Sequence, residues 1–296
     1  MRISILSAVA LTLVMAGCSS DGSDPVATAP KQLTVAPVIA GTPTRAAYSG
    51  NSMTFVAGDR VSIYAWTGNR SSIADGQMVV NGTANTLGVD GTWTSSPQML
   101  WGDMVTPHYF LGIYPERSVT DFEADPFTLT ADYAADDLLA GTNVTGIRAT
   151  DDPVGIVFSH LMTRLTVSLS FKNQWDGVPD DVTVTALSAG SATVDYLQHR
   201  VTATGSPAEQ PLTAAPSAEG TRAFQGILVP QQGFRQITAV VEGQRFVYTH
   251  PDDIPLRSGT STTVHLTLGR NVIELAGVSI DDWSESVSLD GTVARQ

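Results

Sequence analysis

Apolar side chains recur at every second position along most of this chain. Val61, Ile63 and Ala65 alternate with Ser62, Tyr64 and Trp66, and Leu165, Val167, Leu169 and Phe171 alternate with Thr166, Ser168 and Ser170. Val182 and Val184 continue the habit, as do Val264, Leu266 and Leu268 against Thr263, His265 and Thr267. Period two sends successive side chains to opposite faces, so the pattern predicts half-buried strands, whereas the 3.6-residue period of an amphipathic helix is almost absent. Only Asp132 to Ala140 is expected to hold a helical turn or two. Between the runs lie turn formers such as Ala57-Gly58-Asp59, Asn81-Gly82, Asp90-Gly91, Glu242-Gly243 and Ser258-Gly259. Short strands punctuated this often predict an all-β body built as sandwiches or barrels.

A single sandwich takes about 100 residues, so a chain of 296 residues predicts two in tandem. The divide is expected near Gly155, where Thr150-Asp151-Asp152-Pro153 precedes a long strand beginning at Phe158. That gives an N-terminal domain at 46–156 and a C-terminal domain at 157–296. Ahead of them, Leu33, Val35, Pro37 and Ile39 alternate with Thr34, Ala36 and Val38, a strand whose proline is tolerated at a sheet edge. At the other end, Val287, Leu289 and Val293 alternate with Ser288, Asp290 and Thr292, interrupted by Gly291. Residues 287–293 are therefore a candidate donor strand, since such a strand adds to an open edge through its backbone while every second side chain fills a pocket.

The extreme N-terminus carries a different pattern. Arg2 precedes an apolar stretch from Ile3 to Val14 that is too short to span a bilayer, and small residues then lead to Cys18, the only cysteine. Residues 1–17 are expected to be an export signal. The segment Leu13-Val14-Met15-Ala16-Gly17-Cys18 resembles the lipobox of bacterial lipoproteins, with Met15 where Leu is usual. That resemblance implies acylation of Cys18, and several acyl chains on one residue anchor a protein at about 0.8 kcal/mol per buried CH₂. Residues 18–45 then read as a tether, small, polar and proline-interrupted over Ser19 to Lys31, followed by the N-terminal strand. The acidic residues after Cys18 are similar to those of surface-exported lipoproteins of Bacteroidetes.

Composition narrows the function classes. With 16 Lys and Arg against 29 Asp and Glu, the formal net charge is −13, a surface that repels phosphate backbones and excludes nucleic acid as a partner. One cysteine excludes a disulfide scaffold and thiolate zinc sites. His108, His160, His199, His250 and His265 never fall at a paired metal-ligand spacing. The acidic pairs Asp136-Asp137, Asp151-Asp152, Asp180-Asp181, Asp252-Asp253 and Asp281-Asp282 lack the spacing of a calcium loop and are expected to be solvated turns. No nucleophile elbow, phosphate loop or dinucleotide fingerprint is present. No catalytic residue, cofactor or metal is therefore expected. Trp66, Trp93, Trp101 and Trp175, with Tyr48, Tyr109 and Tyr114, supply the alternative of a surface glycan-binding lipoprotein, in which aromatic rings stack on sugars.

Five segments together carry a family resemblance. They are Phe55 to Tyr64 (FVAGDRVSIY), Asp136 to Ala140 (DDLLA), Phe158 to Leu165 (FSHLMTRL), Ile227 to Gln231 (ILVPQ), and Thr263 to Arg270 (TVHLTLGR) leading through Val278-Ser279-Ile280 to Trp283. In this order and spacing the chain resembles the fimbrillin-like lipoproteins of Bacteroidales, the subunits, tips and anchors of type V pili. The resemblance implies two tandem β-sandwich domains of transthyretin-like topology. It also implies a lipid-anchored outer-membrane location at the cell surface or within fimbriae, assembly with other pilus subunits, and adhesion to a host or bacterial surface ligand. Family members assemble by strand exchange: a protease cuts after an arginine near the N-terminus, an N-terminal strand leaves, and the groove accepts a strand from the next subunit. Thr44-Arg45-Ala46 stands at the matching place, so Arg45 and Ala46 are the expected processing site.

Overall fold

A computed structural model describes residues 30–40, 54–143 and 145–283. The first part forms β1 (Val35–Ile39), β2 (Arg60–Thr67), β3 (Met78–Leu87), β4 (Trp93–Ser96), β5 (His108–Tyr114), β6 (Asp125–Thr128), helix α1 (Tyr133–Asp136), β7 (Leu139–Thr142) and β8 (Val154–His160). The rest forms β9 (Thr163–Phe171), β10 (Val182–Ser188), β11 (Ser191–Asp195), β12 (Arg200–Thr204), β13 (Ala208–Ala215), β14 (Thr221–Leu228), β15 (Gln236–Val241), β16 (Gln244–Thr249), β17 (Thr260–Leu268) and β18 (Ile273–Asp282). Three sheets result, in the orders β1-β8-β7-β5-β2-β3-β4, β16-β15-β10-β13-β14-β9-β17-β18 and β12-β11-β6. The protein is all-β, as the period-two pattern predicts. The one helical turn lies where it is expected, started by Asp132, whose carboxylate accepts from the Ala134 and Ala135 amides.

The first sheet curls around an apolar core. Val61, Ile63 and Ala65 of β2 meet Phe110 of β5, Leu139 of β7 and Val154, Ile156 and Phe158 of β8 inside it. Here the structure differs from the half-buried expectation, because the alternate residues of β2 are buried too: Tyr64 and Trp66 enter a second core with Leu111, Ile113 and Ala140. Period two correctly separates the two faces of β2. It does not reveal that the second face is also covered.

That second core is where the two halves of the chain meet. Leu161 and Met162, which link β8 to β9, pack in it with Val194, Tyr196, Ile227 and Trp283. The small sheet makes the same join, β6 pairing antiparallel with β11 from Ser191↔Thr128 to Val194↔Asp125. A polar network seals it: Tyr196 donates to Asp125 at 2.9 Å, Arg117 pairs with the same Asp125 oxygen at 2.9 Å, and Tyr64 accepts from the Val119 amide at 2.8 Å. The third core lies within the large sheet and takes Leu165, Val167 and Leu169 of β9 and Val264, Leu266 and Leu268 of β17. β9 and β17 run parallel, in register from Ser261↔Arg164 to Leu268↔Phe171. The expected boundary at 156/157 falls inside β8, whose side chains fill the first core.

Candidate functional site

The N-terminal strand expected from the alternation at 33–39 lies at the edge of the first sheet. β1 is the outermost strand, parallel to β8 in register from Val35↔Val154 to Ile39↔Phe158. Pro37 is tolerated there, an edge being where a missing N–H costs least. The period-two expectation holds: Leu33, Val35 and Ile39 point into the first core while Val38 is exposed. Hydrogen bonds tie both ends, the Val154 amide donating to Thr34 O at 2.9 Å and the Ala40 amide to Phe158 O at 2.7 Å.

The segment just before β1 is held on its other side as well. The Leu33 amide donates to Met99 O at 2.9 Å, the Trp101 amide donates to Lys31 O at 3.0 Å, and Lys31 pairs with Asp151 at 3.0 Å. Residues 31–40 thus stitch the β8 edge of the curled sheet to the segment that follows β4. Full burial of each of Leu33, Val35 and Ile39 contributes roughly 1.5–3 kcal/mol, which makes this strand a firm plug. Val154, Ile156, Phe158, Met99 and Trp101 share the core that these three side chains enter.

β18 forms the opposite edge, in the large sheet, and is largely exposed, with Leu275, Val278 and Ile280 each about two-fifths accessible. Its end is fixed tightly. The Trp283 amide donates to Gly259 O at 2.9 Å, and its indole stacks on His160 with ring centroids 4.0 Å apart and 5° between planes. The Arg164 guanidinium lies 5.5 Å from the same ring. His160, the last residue of β8, is bonded through Nδ1 to Asp137 Oδ1 at 2.8 Å, and Asp137 Oδ2 is buried without a partner. β8 is therefore the common frame: β1 lies along its edge, and Trp283 docks at its end.

Cys18, Arg45 and Ala46 lie outside the described residues, as do Val287, Leu289 and Val293 of the candidate donor strand. Ala40 and Trp283 mark the nearest points the structure places. Sequence reasoning missed the partner of β1, which comes from the far end of the same half, and the 99–101 segment. It also missed the burial of Asp136 and Asp137, which are not the solvated turn that was expected. Asp136 is consumed locally, accepting from both the amide and the hydroxyl of Thr130 at 2.8 Å. Among the described residues no group of three or more His, Cys, Asp or Glu side chains is arranged to hold a metal ion.

The aromatic residues of the glycan alternative are mostly structural. Trp66, Trp101 and Trp175 are buried, leaving Trp93 as the partly open indole of the four. Tyr48 lies outside the described residues. Tyr114 is half-buried, and burial, with the Asp59 carboxylate 3.2 Å from its hydroxyl, pushes its pKa up to about 12. Burial likewise raises Tyr64 and Tyr196. On the surface, the Thr106 hydroxyl, then the Thr106 and Val105 amides, hold Asp103 down at about 2.

A candidate cell adhesion protein from Bacteroides uniformis superposes with a TM-score of 0.64 at 19% identity, over 85% of this chain and 98% of that one. A second, from Bacteroides ovatus, gives 0.67 at 16% identity over 86% and 99%. At such identities the likeness is one of fold, and no curated protein matches the sequence. A family model described as fimbrillin-like matches residues 44–283, most of the chain, and the protein belongs to the fimbrillin-like family.

Proposed function

We propose that this protein is a lipid-anchored pilus subunit, tip or anchor at the outer membrane, assembling with other subunits by exchange of β1 and supporting adhesion. The observation that carries the proposal is the placement of β1: a short edge strand with three core-filling side chains, paired parallel to β8 and followed directly by the segment containing Arg45. Cutting after Arg45 detaches β1, together with Cys18 and its lipid, from the body that begins at Ala46. The vacated row along β8 then accepts a strand of matching alternation from a neighbouring copy or another subunit, for which residues 287–293 are the candidate. The division into a tether at 18–45 and two tandem sandwich units of transthyretin-like topology belongs to the same proposal. So does a role without catalysis, since the family is one of fimbrial structural proteins and exchange needs only backbone hydrogen bonds and pockets.

Family membership and the likeness to candidate cell adhesion proteins support the adhesive role. Burial of Trp66, Trp101 and Trp175 weighs against the aromatic platform of the alternative. Mass spectrometry of the mature chain taken from the cell surface tests the proposal. An acylated Cys18 in an anchored pool and a free Ala46 in a polymeric pool are expected. A mature chain that begins at neither residue would refute it.

A further inference from the structure

Where the two edges of the curled first sheet approach one another they leave a cleft of about 420 Å³, within the range of roughly 300–1,000 Å³ typical of small-molecule sites. One wall is the strand segment carrying Gln32 and Thr34; the other is β4 with Trp93 and Ser95, and Gln98 follows it. No charged side chain lines the cleft, although the chain carries a formal net charge of −13. Gln32 and Gln98 are exposed and Thr34 and Trp93 half-buried, and among the described residues none offers a hydrogen-bond partner to their side chains. Ser95 accepts from the Met99 amide at 3.3 Å, which leaves its hydroxyl proton free to donate. Trp93 is half-buried and held in place by Phe55, edge-on at 5.2 Å.

We propose that this cleft binds a neutral saccharide. Each amide offers both donor and acceptor, matching hydroxyls that do the same, and an indole supplies an apolar face with a polar tip. The lack of any cation leaves nothing to compensate a buried phosphate, sulfate or carboxylate, so the ligand is uncharged as well as rich in hydroxyls. The site is made in part by Gln32 and Thr34, in the segment that strand exchange would remove. Saccharide binding is therefore a property of the form in which β1 is docked.

Saturation-transfer NMR and calorimetry on the purified full chain test this, with methyl α-glucoside, methyl α-mannoside, methyl β-galactoside and N-acetylglucosamine as neutral probes and glucuronate and N-acetylneuraminate as charged ones. At least one neutral sugar is expected to bind, with Kd raised at least about tenfold in Gln98→Ala and in Trp93→Phe, which keeps the packing on Phe55 but loses the N–H. No binding by any neutral probe would overturn the proposal. So would equal binding by the charged probes, or affinity unchanged in both variants. Strand exchange is unaffected by any of these results.

Discussion

Asp137 sits in an environment at odds with its chemistry. It is fully buried, one oxygen is bonded to His160, and the other has no partner. Removing one partner of a buried hydrogen bond typically costs about 1–3 kcal/mol, so Asp137→Ala is expected to lower the unfolding free energy by about 2 kcal/mol in urea denaturation; a loss below about 0.5 kcal/mol would mean that the contact adds nothing to the seam. Two adjacent acids in sequence give no sign of this, because Asp137 meets His160, which the chain brings in from the end of β8. Tyr114 makes a second case. Its folded pKa, about 12, stands above the unfolded value near 10, so the neutral phenol is favoured by the fold. This contribution is fully present below about pH 10 and is lost as pH rises through about 12. Tyr64 and Tyr196 shift in the same direction. Tyrosinate absorbance should therefore show these groups ionising late and together with alkaline unfolding; ionisation of all seven tyrosines near pH 10 in the folded protein would contradict the burial.

At the scale of elements, β1 was legible in the alternation of Leu33, Val35, Pro37 and Ile39, and its edge position in the proline. Its partner was not legible. Alternation fixes which side chains share a face, but not which strand lies alongside, and parallel pairing joins segments distant in the chain. β2 teaches the complementary lesson: the faces were read correctly, but Tyr64 and Trp66 pack against Phe122 in a core that residues of both halves share, which no local pattern encodes. Because Val35 is 4% exposed, Val35→Asp would place a carboxylate in the first core without a partner. Its expected effect is to free β1 while sparing β18, seen as faster hydrogen exchange across 31–40 and unchanged exchange across 273–282. Equal acceleration in both strands would show that the two edges are not separate units.

For the whole molecule, the all-β class and the order of the family-like segments were readable. The acidic, proline-containing stretch around Asp151 leads into β8, and Leu161 and Met162 join β8 to β9. The β6–β11 pairing and the core shared by Tyr64, Tyr196 and Trp283 couple the halves. Calorimetry is expected to record one cooperative transition, with calorimetric and van't Hoff enthalpies in agreement; two resolved transitions would show the halves to be independent.

Exchange of β1 is the central claim, and electrophoresis of unheated samples after limited proteolysis at Arg45 tests it most directly. The account predicts a ladder of heat-labile polymers from the wild-type chain, released free of residues 18–45, and monomer alone from Arg45→Ala. Polymers of equal length from Arg45→Ala, or a cut chain that keeps β1 and stays monomeric, would contradict it.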